Sequence, residues 1–287
     1  MRLFALLFAL PFVLLFQPPA HAAAPIAGCH PDQIATLYPA LAGKTLIMGA
    51  DPQTPPYASL DPKNPGKLTG SDIELATAVF NCIGAKYEIR PAAWSGLLPA
   101  VASGQIDLMY YLYYTPQRAK EADFIVYMKA GTGALTQAGN PKHITSQSEA
   151  DLCGNTVAVG LGAVEEAEMT ALSAQCTHDG KKPVAIMTYS DHAAGFRLIA
   201  SGRADIMLTD LALVDKTVQD NPKIYSLAYG VISGFQIGVA VKKGNKLLED
   251  AILNALKAVQ ADGVEKAIFV KYGVDPSLEL PAQLRTQ

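Results

Sequence analysis

The sequence predicts an α/β fold built as two similar lobes, and three observations carry that reading. Apolar runs of strand length alternate with segments of helical period, which implies parallel-rich sheets joined by right-handed crossovers. One frame occurs twice, as Leu41-Ala42-Gly43-Lys44-Thr45-Leu46-Ile47-Met48-Gly49 and as Leu152-Cys153-Gly154-Asn155-Thr156-Val157-Ala158-Val159-Gly160. A second pair follows in the same order, Ser103-Gly104-Gln105-Ile106-Asp107-Leu108-Met109 and Ser201-Gly202-Arg203-Ala204-Asp205-Ile206-Met207. Chance can produce one such match, but two in one order indicate a repeated unit.

The elements are justified from the beginning of the chain. Met1-Arg2 precedes an apolar run, Leu3 to Phe16, and then Gln17-Pro18-Pro19-Ala20-His21-Ala22. A basic start, a greasy segment shorter than the ~20 residues of a membrane span, and an Ala-x-Ala site predict a cleaved secretory signal over 1–22. Ile26-Ala27-Gly28-Cys29 has the look of a lipoprotein box. It stands well past the apolar run with prolines between, so a lipid anchor at Cys29 is not favoured. Four cysteines in an exported chain predict two disulfides. Of the three possible pairings, locality favours Cys29–Cys82 and Cys153–Cys176. The second closes a loop of ~24 residues, stabilising by ~3 kcal/mol in the chain-entropy model.

In the first lobe the 45–49 run reads as a strand. Ser71-Asp72-Ile73-Glu74 reads as a capping box opening a helix with Ile73, Ala76, Val79 and Phe80 on one face. Gly84 ends it, Tyr87–Arg90 is a short strand, and Ser95–Ser103 is a helix stopped by Gly104. Leu108–Tyr113 is apolar, aromatic and uncharged, which suits a buried strand. Thr115-Pro116 then predicts a helix start with Arg118 in its first turn. The second lobe repeats the pattern: strand Thr156–Gly160, helix Glu165–Gln175, strand Val184–Thr188, a helix to Ser201 and strand Asp205–Thr209. Near the end, Leu248, Ile252, Leu256 and Val259 share one helical face, and Gly263 punctuates the chain before Val264–Lys271. This last part reads as packing.

A formal charge of −3 without a Lys/Arg cluster argues against nucleic acid and anionic membranes as partners. His30, His143, His178 and His192 show no ligand spacing and read as surface residues, so no metal is expected. No Gly-x-Ser-x-Gly or His-Glu-x-x-His motif is present, and nothing calls for a cofactor. Gly160-Leu161-Gly162-Ala163-Val164-Glu165 fails as a dinucleotide turn because Glu165 stands where the third glycine belongs.

Ligands of open parallel sheets gather beyond the carboxyl ends of the strands. In the first lobe those positions hold Asp51 to Tyr57, Trp94, and Tyr111 to Arg118. In the second they hold Leu161 to Glu165 and Asp210. Together these are one cation beside a helix start, one isolated carboxylate, a second helix start and several aromatic faces. A guanidinium binds a carboxylate through two parallel hydrogen bonds, and the set as a whole fits an amino acid.

With these residues in place, the chain resembles the periplasmic amino-acid-binding proteins of ABC importers, extracellular solute-binding protein family 3, from about Thr45 to Gly273. The resemblance rests on PPY followed by LTGSDIELATAV, then WSGLLPAVASGQID, YYTPQRAKEADF, SGRADIMLTD and ADGVEKAIFVKYG, in that order. It implies the type II periplasmic-binding-protein fold, with two parallel-rich sheets and a two-strand hinge crossing near Lys129–Gly131 and Tyr229–Ser233. Lobe 1 would comprise 23–130 and 231–287, and lobe 2 would comprise 131–230. It implies Arg118 on the ligand α-carboxylate, and Asp210 with the Tyr111 carbonyl on the α-ammonium. Trp94 would form an aromatic wall, with Thr54 in a pocket loop and Tyr57 either structural or in the pocket. Asp51 would read a cationic side chain or cap its own loop as an Asx turn.

Three residues depart from the family pattern. Tyr113 stands where a Ser or Thr usually donates to the carboxylate, and Ala163 and Val164 replace hydroxyl residues after Gly162. The backbone N–H groups of Gly162, Ala163 and Val164 remain as an anion seat. The resemblance further implies a monomeric periplasmic protein that gives a small ligand to an inner-membrane ABC permease. The rival is a periplasmic enzyme on the same scaffold, a cyclohexadienyl or arogenate dehydratase using Glu165 or Glu166 as proton donor. A sensor module is a further rival.

Overall fold

A computed structural model describes residues 26–286; the signal expected over 1–22 lies outside them. In chain order the elements are α1 (Ile34–Leu37), β1 (Thr45–Ala50), β2 (Gln53–Thr54), β3 (Ala58–Leu60), β4 (Leu68–Thr69), α2 (Ser71–Ile83), β5 (Lys86–Pro91), α3 (Trp94–Ser103), β6 (Leu108–Tyr113) and β7 (Ala122–Gln137). The second half adds α4 (Glu149–Leu152), β8 (Thr156–Gly160), α5 (Val164–His178), β9 (Ala185–Tyr189), α6 (His192–Ala200), β10 (Ile206–Asp210) and α7 (Leu211–Asp220). The chain closes with β11 (Tyr225–Lys242), α8 (Lys246–Ala261), α9 (Val264–Tyr272) and β12 (Glu279–Arg285).

Each lobe has a parallel trio, β5-β1-β6 in the first and β10-β8-β9 in the second. The two trios are not separate sheets. The strands β7 and β11, of 16 and 18 residues, are long enough at ~3.3 Å per residue to run through both lobes, and they join both trios into one nine-stranded sheet, while β2, β3 and β4 form a separate small one. The first part of β7 pairs with Gln236–Lys242 of β11, and its last part pairs with β10 and with Tyr225–Ile232. Between Ile232 and Gln236 the β11 register slips. Both faces of the first-lobe sheet are covered: α2 and α8 pack Val79, Phe80, Ile252 and Leu256 on one side, and α3 packs Leu97 and Val101 on the other. The second lobe is covered in the same way by α5 and by α6 with α7.

Two local expectations are corrected, and one strand is added to those expected. The capping box at Ser71 does not form. Gly70 is the N-cap at φ 138°, Glu74 donates its N–H to the Gly70 carbonyl, and the Ser71 hydroxyl is buried without a hydrogen bond. No helix follows Thr115-Pro116. Thr115 Oγ1 does accept from the Arg118 N–H at 3.2 Å, but only a three-residue 3₁₀ turn, Arg118–Lys120, fits before β7 begins. Sheet pairing overrides the local helix signal there. The C-terminal β12, which pairs with β7, was not foreseen.

Both disulfides form as Cys29–Cys82 and Cys153–Cys176. With its sulfur in that bond, Cys29 has no thiol to offer a lipid.

Candidate ligand-binding site

The cleft between the lobes has an empty volume of ≈ 710 Å³, open mouth included. Asp51, Thr54, Tyr57, Trp94, Tyr111, Tyr113 and Arg118 face it from the first lobe, and Ala163, Val164 and Asp210 from the second. Gly162 is outside the lining but touches the site through its carbonyl, which accepts from Arg118 Nη2 at 2.9 Å.

The aromatic wall owes its shape to one backbone irregularity. Along β6, Leu108 and Tyr110 pack on one side of the sheet and Met109 on the other, as strand alternation requires. Tyr111 then adopts φ 61°, and opposite it the β11 register shifts between Gly238 and Ala240. This bulge returns Tyr111 to the side already taken by Tyr110, so Tyr111 and Tyr113 both reach the cleft. A left-handed tyrosine is strained by ~1–3 kcal/mol and persists only where its surroundings hold it. Tyr57 supplies part of that hold, stacking on Tyr111 with centroids 3.9 Å apart. Tyr113 meets Tyr111 edge-on at 6.2 Å. The phenol oxygens of Tyr111 and Tyr113 are buried without a well-formed hydrogen bond.

Arg118 Nη1 donates to the Tyr113 carbonyl at 2.9 Å, so the guanidinium ties its own lobe to the Gly162 loop of the other. Burial lowers its pKa, and nearby Glu165 opposes that shift. Asp210 occupies the N-cap of α7. Its Oδ1 accepts from the N–H groups of Ala212 at 2.9 Å and Leu213 at 3.2 Å, leaving Oδ2 for the cleft. Burial pushes Asp210 up to about 6, against the lowering influence of the Tyr111 and Tyr57 phenols and the helix N–H groups.

Some expected roles change. Gly162 N–H is taken by Glu166 Oε2 at 2.7 Å and Ala163 N–H by the Gly160 carbonyl at 3.0 Å, so two of the three donors expected for an anion are already engaged. Asp51 closes an Asx turn onto Gln53 N–H at 3.0 Å while still facing the cleft. The Thr54 hydroxyl donates to the Asp51 carbonyl, so Thr54 is held by its own loop.

Leu161 and Glu165, at the strand end already named, also line the cleft, and with them stand residues that sequence reasoning missed: Gly160, Tyr189, Ser190, Asp191, His192, Thr209 and Leu213. His192 is not a surface residue. It packs beside Tyr189 and Phe196, its Nε2 lies 3.3 Å from Thr209 Oγ1, and burial lowers its pKa. The signal for this group was present, since Ser190 to His192 directly follow a second-lobe strand. Among the described residues no His, Cys, Asp and Glu cluster is arranged to hold a metal.

Comparison with known proteins gives this geometry its setting. The model of the bacterial extracellular solute-binding proteins, family 3, matches residues 46–275. The L-cystine-binding protein TcyJ of Escherichia coli strain K12 is 30% identical over 235 residues, covering 80% of this chain and 84% of that protein. A solved ancestral arginine-binding protein bound to glutamine is 31% identical with a TM-score of 0.70, covering 80% of this chain and 98% of that one. The ancestral amino acid-binding protein AncCDT-1, a precursor of cyclohexadienyl dehydratase, is 29% identical with a TM-score of 0.69, covering 83% and 98%.

Proposed function

The chain belongs to the bacterial extracellular solute-binding proteins, family 3, and we propose that it captures a small amino-acid-like ligand between its lobes for delivery to an ABC importer. Lobe 1 is taken as 23–130 with 231–287 and lobe 2 as 131–230, the chain passing between them on β7 and β11. The observation that carries the reading is the placement of Arg118 and Asp210 on opposite walls of one cleft. Arg118 receives the ligand carboxylate and Asp210 Oδ2 the ammonium, with Trp94, Tyr57 and Tyr111 against the side chain. Such a ligand favours closure because its two charges are satisfied by different lobes. Relatives named for cystine and arginine agree with an amino-acid cargo.

The test separates charge from fold. Asp210→Asn keeps an oxygen to cap α7 and removes the charge, whereas Arg118→Ala removes the other partner. Each loss leaves a ligand charge buried and unpaired, so each should cost roughly 2–5 kcal/mol in affinity by isothermal titration. An Asp210→Asn protein that binds as tightly as the parent would refute this division of labour.

A dehydratase on the same scaffold is a second reading, favoured by the likeness to AncCDT-1 and by a buried Glu165 in the cleft. It requires turnover of prephenate or arogenate by purified protein, which a binder leaves unchanged.

A further inference from the structure

The carboxylate end of the cleft is poor in donors. Ala163 and Val164 bring no hydroxyl, the N–H groups of Gly162 and Ala163 are engaged, and Arg118 already donates to two carbonyls. Glu165 lines the same end at 5% exposure. It is the acid that acts most strongly on Arg118, and it also acts on Tyr113 and Tyr189. None of the ion pairs among the described residues includes it. A charged Glu165 here would confront the ligand carboxylate across a buried gap, and like charges so placed cost several kcal/mol.

We infer that Glu165 meets the ligand's acid group as an uncharged carboxyl, donating the hydrogen bond that the missing hydroxyls do not give, and so restricts acid ligands to the lower part of the pH range. This rests on the amino-acid reading above and adds to it a specificity residue with a built-in pH limit. A protonated carboxyl is a strong donor to a carboxylate, and the Tyr113 phenol, buried and without a well-formed hydrogen bond, supplies a second one beside it. The groups that bear on Glu165 are Glu168 on its own helix, Asp210 at the start of α7 and Arg118 beyond β6. Burial dominates and the two acids add to it, while its own backbone N–H and Arg118 oppose, leaving Glu165 at about 7.

The sign follows from the proton that binding needs. Below about 7 the carboxyl is present as donor, and above it the proton must be recovered from solution, so affinity falls by up to about tenfold per pH unit. Asp210, at about 6, must be ionised for the ammonium, which gives a rising limb at lower pH.

Two measurements decide the matter. In ligand-free protein, ¹³C-carboxyl NMR should show one glutamate resonance titrating near 7 that is absent from Glu165→Gln; a Glu165 resonance titrating below 5 overturns the inference. Isothermal titration with L-cystine, L-arginine and L-glutamine should then show the affinity of a binding probe falling severalfold or more from pH 7 to 8.5. Glu165→Gln, which keeps a donor, should hold its affinity across that range, and Glu165→Ala should be weak throughout. If Glu165→Gln instead loses more than tenfold at pH 7, the carboxyl acts as an anion and the inference is wrong. Failure of all three amino acids to bind would count against the amino-acid reading, while the NMR titration still decides the state of Glu165.

Discussion

Asp210 commits one carboxylate oxygen to its own helix and presents the other to the cleft. That double use explains why an Asn substitution is informative there and an Ala is not. Two further buried carboxyls, Glu265 and Asp72, lie outside the lining of the main cleft. Glu265 is fully buried on α9 with both oxygens lacking a hydrogen bond, and burial pushes it up to about 8. Asp72, beneath the Tyr127 hydroxyl at 3.1 Å, is likewise raised by burial to about 8. For a carboxyl raised on folding, the folded chain holds a proton that the unfolded chain gives up near pH 4.5. The stability it allows is therefore complete below that pH and is lost as pH climbs towards 8. For Glu265 the difference corresponds to on the order of 3–5 kcal/mol. We expect Glu265→Gln to flatten the decline in unfolding free energy between pH 5 and 8, read by urea denaturation at both values. An unchanged decline would mean that Glu265 ionises freely in the folded state.

At the scale of elements, the second lobe was the more legible because its frame repeats the first: the 156–160 strand is β8 as expected, and the remaining strands and helices lie within a few residues of their expected bounds. The misses have physical reasons. β12 (ELPAQLR) has no alternation and carries a proline, so only its pairing with β7 makes it a strand. The bulge at Tyr111 has no sequence signal, since tyrosine does not favour φ 61°. The start of α2 is set by tertiary contact: a side chain at Gly70 would collide with the Tyr57 carbonyl. Gly70 therefore couples helix α2 to a tyrosine in the cleft. Gly70→Ala should destabilise by more than the ~1 kcal/mol of left-handed strain alone and should also weaken ligand binding by displacing Tyr57. Gly43→Ala is the control, because Gly43 also has a positive φ, 79° against 138° at Gly70, but has open space around its Cβ position. Equal losses for the two variants, in chemical denaturation and in titration, would show that strain alone operates.

On the scale of the whole molecule, β7 and β11 make the two lobes one continuous sheet, and across the cleft Arg118 donates to the Gly162 carbonyl while the Tyr57 and Tyr111 phenols bear on Asp210. The lobes are thus tied at the back by long strands and at the front by these few contacts, to which a bound ligand adds its own. A ligand gripped from both sides stabilises the folded chain against unfolding by RT ln(1 + [L]/Kd), about 4 kcal/mol at a thousandfold excess over Kd. For a chain of this size that is a rise in Tm of roughly 8–16 °C if unfolding is two-state. Trp94, the one tryptophan of the chain, lies in the cleft and reports ligand arrival through its fluorescence. A thermal-shift panel of amino acids, opines, polyamines and small dicarboxylates on ligand-stripped protein should therefore give a large shift and a Trp94 change for the same compounds. Asp210→Asn should cut the shift to about half or less at the same ligand concentration while leaving the ligand-free Tm close to that of the parent, since its α7 cap survives. A compound that shifts both proteins equally would bind outside the grip of Asp210, and a panel without any response would remove the basis for an amino-acid cargo.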